Sequence, residues 1–279
     1  ADFERVCEMM KARLRARPVP VQLPWYLGEE FHGLVDLIEM RALYWEDETK
    51  GAGYTATGIP AELRERAAAA REVVIEAACE ADDRLMGKYL AGTALTSNEI
   101  RGALRKGTIG LKYTPVVCGA AFRNKGIRPL LDAVVDYLPS PLDVPPIEGV
   151  VPGTGEMAVR PAADEKPFSA LVFKIMSDPF VGHLSFVRVY SGALSTGSHV
   201  YNPSRHSRER VGRLLKMHAN KREETHHVSA GDIAAVVGLR NASTGDTICD
   251  GKQPVILEPM EFPEPVISMA VEPKLQDDV

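Results

Sequence analysis

Between Pro139 and Glu156 the chain reads PSPLDVPPIEGVVPGTGE, a stretch crowded with proline and glycine and without helical or strand periodicity. No helix runs through such a segment: proline lacks the N–H that a helix interior needs, and glycine loses the most backbone entropy on ordering. The chain therefore divides here. At 279 residues it has the length of two or three domains, and residues 141–166 read as the linker at the main boundary.

Beyond Pro167 the texture is all-β. FSALVFKIM, HLSFVRVY, SHVYN, RVGRLLKMH, DIAAVVGL and DTIC are short strand-like runs separated by turn signals such as Ser-Gly and Ala-Gly-Asp. So many short strands in residues 167–260 predict a small closed barrel, because closure removes exposed edges. Residues 261–279 hold a new apolar run, Val266 to Val271, and read as the start of a third domain.

Before the linker the signals are mixed. Val6, Met9, Met10 and Leu14 recur at helical spacing, so Asp2 to Leu14 is predicted helical. A chain that opens inside a helix is expected to be a piece of something longer. Pro18 to Pro24 is extended, and residues 31–46 alternate as a hairpin would. The alanine-rich residues 59–90 predict one or two helices. Thr96 and Glu99 have capping-box spacing, which starts a helix expected to end at Gly107. Residues 15–112 are thus a mixed α/β block. Thr114 to Cys118 reads as a buried strand, and a helix follows from near Lys125. Ile127, Leu130, Leu131, Val134 and Leu138 form its apolar stripe, and Pro139 stops it. Residues 113–140 then make a β–turn–α unit, the usual edge of a nucleotide-binding sheet. Residues 1–14 are a residual helix of the same domain. The fold class is α/β followed by an all-β barrel.

A net charge of -5 argues against wholesale polyanion binding while leaving room for a local basic face. Cys7, Cys79, Cys118 and Cys249 are widely spaced with no CxxC pair, the pattern of a reduced, cytoplasmic protein without structural zinc. No apolar run approaches the ~18 residues of a membrane span, so no membrane partner is expected.

Two stretches carry candidate chemistry. In VCGAAFRNKG, residues 117–126, small residues at a strand-to-helix turn let backbone N–H groups approach a flat or anionic ligand. The phosphate loop that would accompany a nucleotide is missing. No GxxxxGK[ST] occurs, since Gly87-Lys88 is followed by Tyr89 and Gly251-Lys252 by Gln253. DxxG and NKxD are missing too. On spacing alone, a tight turn without a ligand explains this stretch equally well. The second stretch runs from Arg205 to Arg222 and holds seven Lys/Arg against one acid, Glu209. A solvated strand pair and an RNA-backbone contact both account for it. His218, His226 and His227 have no cysteine or carboxylate at ligand spacing, and no metal is expected there. Tyr190-Ser191-Gly192 reads as a hairpin turn, with no nucleophile elbow around the serine.

From Leu111 onward the chain resembles elongation factor G. The resemblance is carried by TPVVCGAAFRNKGIRPLLDAVVDYLPSPLDVPPI, FKIMSDPFVGHLSFVRVYSGALSTGSHVYN, RERVGRLLKMHANKREE and SAGDIAAVVGLRNASTGDT. Residues 15–112 are similar to that family's insertion into its GTPase domain, with LRKGTIGLKYTP as a local signature. The resemblance implies a fragment that begins just after NKxD, from a parent that binds GTP or GDP with magnesium. It also implies that the parent docks on the ribosome and drives movement of tRNA and mRNA in the cytoplasm. Gly119, Ala120 and Ala121 then stand where the family has Gly-Ser-Ala, and the N–H of Ala121 would donate to guanine O6. The departure at Ala120 loses a hydroxyl that could brace the loop. Arg205, Arg208 and Arg210 are implied to face rRNA of the small subunit. Without phosphate loop, DxxG or NKxD the fragment is expected to be catalytically inactive and to hold no cofactor tightly. A ribosome-recycling or organellar paralogue remains open, as does a non-enzymatic RNA- or protein-binding module. The strand at Thr114 to Cys118 would lack its sheet, and is expected to pack against the insertion block or to pair between molecules.

Overall fold

The computed structural model describes residues 2–46, 51, 53–178, 182–219 and 221–257. The strand expected at Val266 to Val271 lies outside the described residues. The chain separates into two units, residues 1–139 and 140–279.

In the first unit, α1 (Phe3–Leu14) is capped by Asp2, whose carboxylate accepts from the Arg5 N–H at 3.0 Å. Then come β1 (Pro18–Pro20), β2 (Gln22–Leu27), β3 (Glu30–Asp36), β4 (Arg41–Tyr44) and β5 (Thr55–Thr57). Strands β2 to β5 form an antiparallel sheet in chain order. Helices α2 (Arg64–Ala81), α3 (Asp83–Leu90) and α4 (Ser97–Ile109) follow, and β6 (Thr114–Val116) leads to α5 (Ile127–Tyr137). Val19, Val35, Leu37, Val74, Leu85, Ile100 and Leu104 fill one core between sheet and helices. The alanines of α2 explain its close fit: Ala67, Ala77 and Ala78 are buried and let the neighbouring elements approach.

Three sequence expectations change in this unit. Helix α4 runs to Ile109 and passes through Gly107. A Cβ at Gly107 would sit 2.2 Å from the Tyr113 ring, so this glycine accommodates an aromatic side chain and does not end the helix. Tyr113 lies buried there, its hydroxyl donating to the Ala103 carbonyl at 3.1 Å. Strand β6 is shorter and less buried than Thr114 to Cys118 suggested, with Thr114 exposed. It is also paired, in parallel, with β1: Pro18 lies opposite Thr114 and Pro20 opposite Val116. Finally, α5 starts at Ile127, with Gly126 as its N-cap. Its C-terminus docks on α4 through Arg105, which donates to the carbonyls of Val135, Asp136 and Leu138 at 3.2, 3.1 and 2.8 Å.

The second unit opens with β7 (Ile147–Val150) and β8 (Met157–Arg160), a hairpin where a featureless linker was expected. Its further partner, β19 (Ile256–Leu257), lies about a hundred residues along the chain, so no local pattern could reveal it. Between them run β9 (Ser169–Asp178), β10 (Gly182–Ser191), β11 (Leu194–Ser195), β12 (His199–Asn202), β13 (Ser207–Arg210) and β14 (Arg213–His218). β15 (Lys221–Thr225), β16 (His227–Val228), β17 (Ile233–Val237) and β18 (Thr247–Cys249) complete the order. Eight strands form one antiparallel sheet in the order β13-β12-β18-β9-β10-β17-β14-β15. Strands β13 and β14 are distant in that order but are joined by Val211 and Gly212 alone, and Gly212 N–H donates to the Val237 carbonyl at 2.8 Å. The sheet therefore closes into a barrel. Val172, Val187, Val189, Leu214, Val236 and Ile248 point inward as its core. On the outer face, Leu171, Cys249, Val255 and Leu257 pack with Ile147, Ala158 and Tyr190, so the hairpin covers the barrel with a second small core.

The capping box at Thr96 offers a direct check. Thr96 N–H and hydroxyl and the Lys88 ammonium all donate to the Glu99 carboxylate, the last at 2.5 Å. The Lys88 bond first, then the Thr96 bonds, pull the Glu99 pKa down from 4.5 to about 2. A depressed acid stabilises the fold above its unfolded pKa, and that stabilisation is lost as pH falls through the folded value. The loss should thus run from near pH 4.5 down to about 2. Carbon-detected NMR is expected to place the Glu99 carboxyl midpoint near 2; a midpoint at the ordinary glutamate value would contradict the box.

Candidate functional site

The loop from Val117 to Gly126 joins β6 to α5. Its first anchor is Gln22, a buried side chain whose amide oxygen accepts from the Cys118 N–H at 3.2 Å. The chain then closes on itself. Ala120 N–H donates to the Lys125 carbonyl at 2.9 Å, and Lys125 N–H donates back to the Ala120 carbonyl at 3.2 Å. Between them Ala121–Arg123 make one 3-10 turn, with Arg123 N–H donating to the Ala120 carbonyl at 2.9 Å and Asn124 in the left-handed region.

This crossing needs glycine on both sides. Gly126 has φ +85°, and a Cβ there would lie 2.9 Å from both the Cys118 carbonyl oxygen and the Gly119 Cα. A Cβ on Gly119 would lie 2.8 Å from the Lys125 carbonyl oxygen. Small residues thus bring two backbone segments into contact, and the loop is braced through Ala120 by backbone bonds alone. A serine hydroxyl at that position is not needed for the crossing.

The loop leaves Ala121 exposed, and its N–H donates to no described residue. Phe122 beside it is fully exposed. Cys118 offers no nucleophile, since burial pushes its thiol up to about 12. What the loop presents is a fixed, unpaired backbone donor, suited to a carbonyl oxygen of a flat ligand. Sequence reasoning found Gly119, Ala120 and Ala121 together, and the structure keeps them together. It missed Gln22 and Phe122, which have no local signal.

The arginines of the barrel separate. Arg205 turns back: its Nε donates to the Asp246 carboxylate at 3.3 Å and its η2 nitrogen to the Ser243 hydroxyl at 2.8 Å. Asp246 is buried and also accepts from Asn202 and the Ser243 N–H, both at 2.9 Å. Arg208 and Arg210 lie exposed on β13, opposite Tyr201 and His199 of β12, with no ion pair to a described residue. Glu209 between them is buried, accepting from the Arg240 and Asn241 N–H groups at 2.5 and 3.0 Å. The remaining cations sit on the β14–β15 hairpin, where Lys216 faces Glu223 and Glu224 lies opposite Leu215. Those two acids fall just past the basic run, so only the hairpin register reveals that they share its surface. Among the described residues no group of three or more His, Cys, Asp or Glu could hold a metal ion.

Residues 167–251 match the family model for elongation factor G domain 2. A solved crystal structure of a protein from Thermus thermophilus matches the whole chain, with a TM-score of 0.77 and 26% identity. The barrel of residues 167–251 is thus an elongation factor G domain 2. The whole chain spans 39% of the Thermus chain it matches. The domain 2 match covers β9 to β18, so the paired β12–β13 face with Arg208 and Arg210 lies inside it. The guanine-loop candidate lies outside it, in the α/β unit that the structural match covers.

The glycine crossing can be tested on stability alone. Gly126→Ala is expected to destabilise the α/β unit by roughly 1–3 kcal/mol in urea melts, from the strained backbone and the clash. Gly87→Ala, in α3 with open space around it, should instead be neutral or stabilising by up to about 1 kcal/mol. Equal effects at both sites would refute the crossing.

Proposed function

We propose that these residues serve a ribosomal translocation factor, a GTPase of the elongation factor G family whose domain 2 docks on rRNA of the small subunit. The single observation that carries this reading is the elongation factor G domain 2 at residues 167–251. Its β12–β13 face turns two arginines outward without counter-ions among the described residues. Guanidinium groups on an exposed strand can neutralise phosphates at little desolvation cost, and each contact releases counterions.

The Gly119 to Ala121 loop reads the base in this proposal. Ala121 N–H suits guanine O6, whereas adenine offers an amino donor at that place and is rejected. One such contact with some stacking contributes ~1–3 kcal/mol, which corresponds to millimolar affinity or weaker. The described residues do not fit the phosphates and magnesium of GTP: the sequence has no phosphate loop, and no acidic cluster for a metal is present among them. No phosphoryl-transfer step is assigned to them, and the 279 residues by themselves should neither hydrolyse GTP nor hold it tightly. The setting proposed is the cytoplasm, where translation supplies the ribosome.

Co-sedimentation with small ribosomal subunits over a salt series tests the docking. The double variant Arg208→Glu/Arg210→Glu should bind more weakly and reduce the slope of log K against log salt by about one per arginine. Arg205→Gln should change the slope less, because its charge is already engaged by Asp246. An unchanged slope in the double variant would remove β13 from the interface.

A further inference from the structure

A cavity of about 180 Å³ lies within the second unit, between the Pro141–Ile147 segment and strands β8 and β10. Its walls are apolar: Val144, Pro145, Pro146, Val189 and the Tyr190 ring. Arg160 of β8 and Arg188 of β10 also line it, and no carboxylate does. Pro141 closes one end by packing on Gly231, where a Cβ would come within 2.7 Å of the proline ring.

Both arginines have unused donors. Arg160 is 8% exposed, and its η nitrogens donate to the Val159 and Gln253 carbonyls at 3.3 and 2.9 Å, which holds the head group in place. Its Nε is buried without a partner. Arg188 lies over the Tyr190 ring at 5.2 Å, and its Nε is likewise buried and unpartnered. Buried polar groups are nearly always satisfied, and the buried charge of Arg160 needs an opposite one, while Arg188 is half-buried. Within the fold neither guanidinium has a counter-ion among the described residues.

We propose that this cavity is a binding site for a phosphate group, gripped between Arg160 and Arg188. Two guanidinium charges match the roughly −1.5 to −2 charge of a phosphate monoester, whereas a single carboxylate leaves one charge unpaired. The volume is several times the ~30 Å³ share of one water molecule, yet below the ~300 Å³ at which drug-sized sites begin. It admits the phosphate itself and leaves any attached nucleoside outside. The apolar walls strengthen the contact by keeping water from the charges. The site is separate from the β12–β13 face and does not depend on the docking reading.

The test is calorimetric titration of the full chain with inorganic phosphate and, separately, with adenosine 5′-monophosphate, against chloride at matched ionic strength. Phosphate should bind with one-site stoichiometry, and Arg188→Gln should weaken it at least about tenfold. Equal affinity for the two ligands identifies the phosphate group alone as the ligand; tighter binding of the nucleotide assigns a phosphate presented on a nucleoside. Because Arg160 also holds Gln253, Arg160→Lys serves as the companion variant: it keeps the charge, loses the fork, and should weaken phosphate while melting like the parent. The proposal is overturned if phosphate does not bind, or if Arg188→Gln binds it as the parent does.

Discussion

Every β-strand in this chain must find partners for its edge N–H and C=O groups, and that requirement shapes both units. In the α/β unit, β6 is held by β1, with Val21 N–H donating to the Val116 carbonyl at 3.0 Å and Thr114 N–H to the Arg17 carbonyl at 2.9 Å. Pro18, Pro20 and Pro115 sit in this two-stranded ladder and offer no free donor for further pairing. The pairing places β6 where Gln22 can anchor Cys118, and so sets the loop that presents Ala121. In the barrel the same requirement is met by closure through Val211 and Gly212. The outer face is then covered by the β7–β8 hairpin.

Much of this is legible from the residues, and the failures have a common cause. Helices α1 and α5 and the Thr96 capping box rest on local signals that suffice to place them. The apolar stripes expected to be buried do not pack: Val6, Leu14, Leu130, Leu131, Val134 and Leu138 are exposed, and Cys7, Pro129 and Tyr137 are buried in their place. Gly107 reads as a helix stop because its real contact, the Tyr113 ring, is visible only in the folded chain. The 141–166 segment reads as a linker because β19 and the Leu171–Leu257 cluster, which order it, lie far along the sequence. Of the candidate site, the glycine-alanine turn is visible in the sequence, because small residues at a strand end have a direct geometric meaning. Whether the Ala121 N–H stays free is not, since that depends on the Ala120–Lys125 crossing. Proximity in sequence groups Arg205 with Arg208 and Arg210, and Asp246 separates it from them.

Two ways of meeting an anionic or polar ligand are proposed for the molecule. The loop at Ala121 uses a backbone dipole, whose position is fixed by glycine contacts and which carries no net charge. Arg208 and Arg210 use exposed charge, sensitive to salt and tolerant of geometry. Single contacts of either kind are weak. Weak contacts carried on one chain reinforce one another when they engage a common large partner, because the second is made at high effective concentration.

The loop is the most direct place to test the account. Titrating the isotopically labelled chain with guanosine and with adenosine, while following the Ala121 amide resonance, asks whether the free N–H reads a base. The account predicts a progressive shift of Ala121 with guanosine, at weak affinity, and little or none with adenosine. Equal shifts with both nucleosides, or an Ala121 resonance unmoved by either, would contradict it.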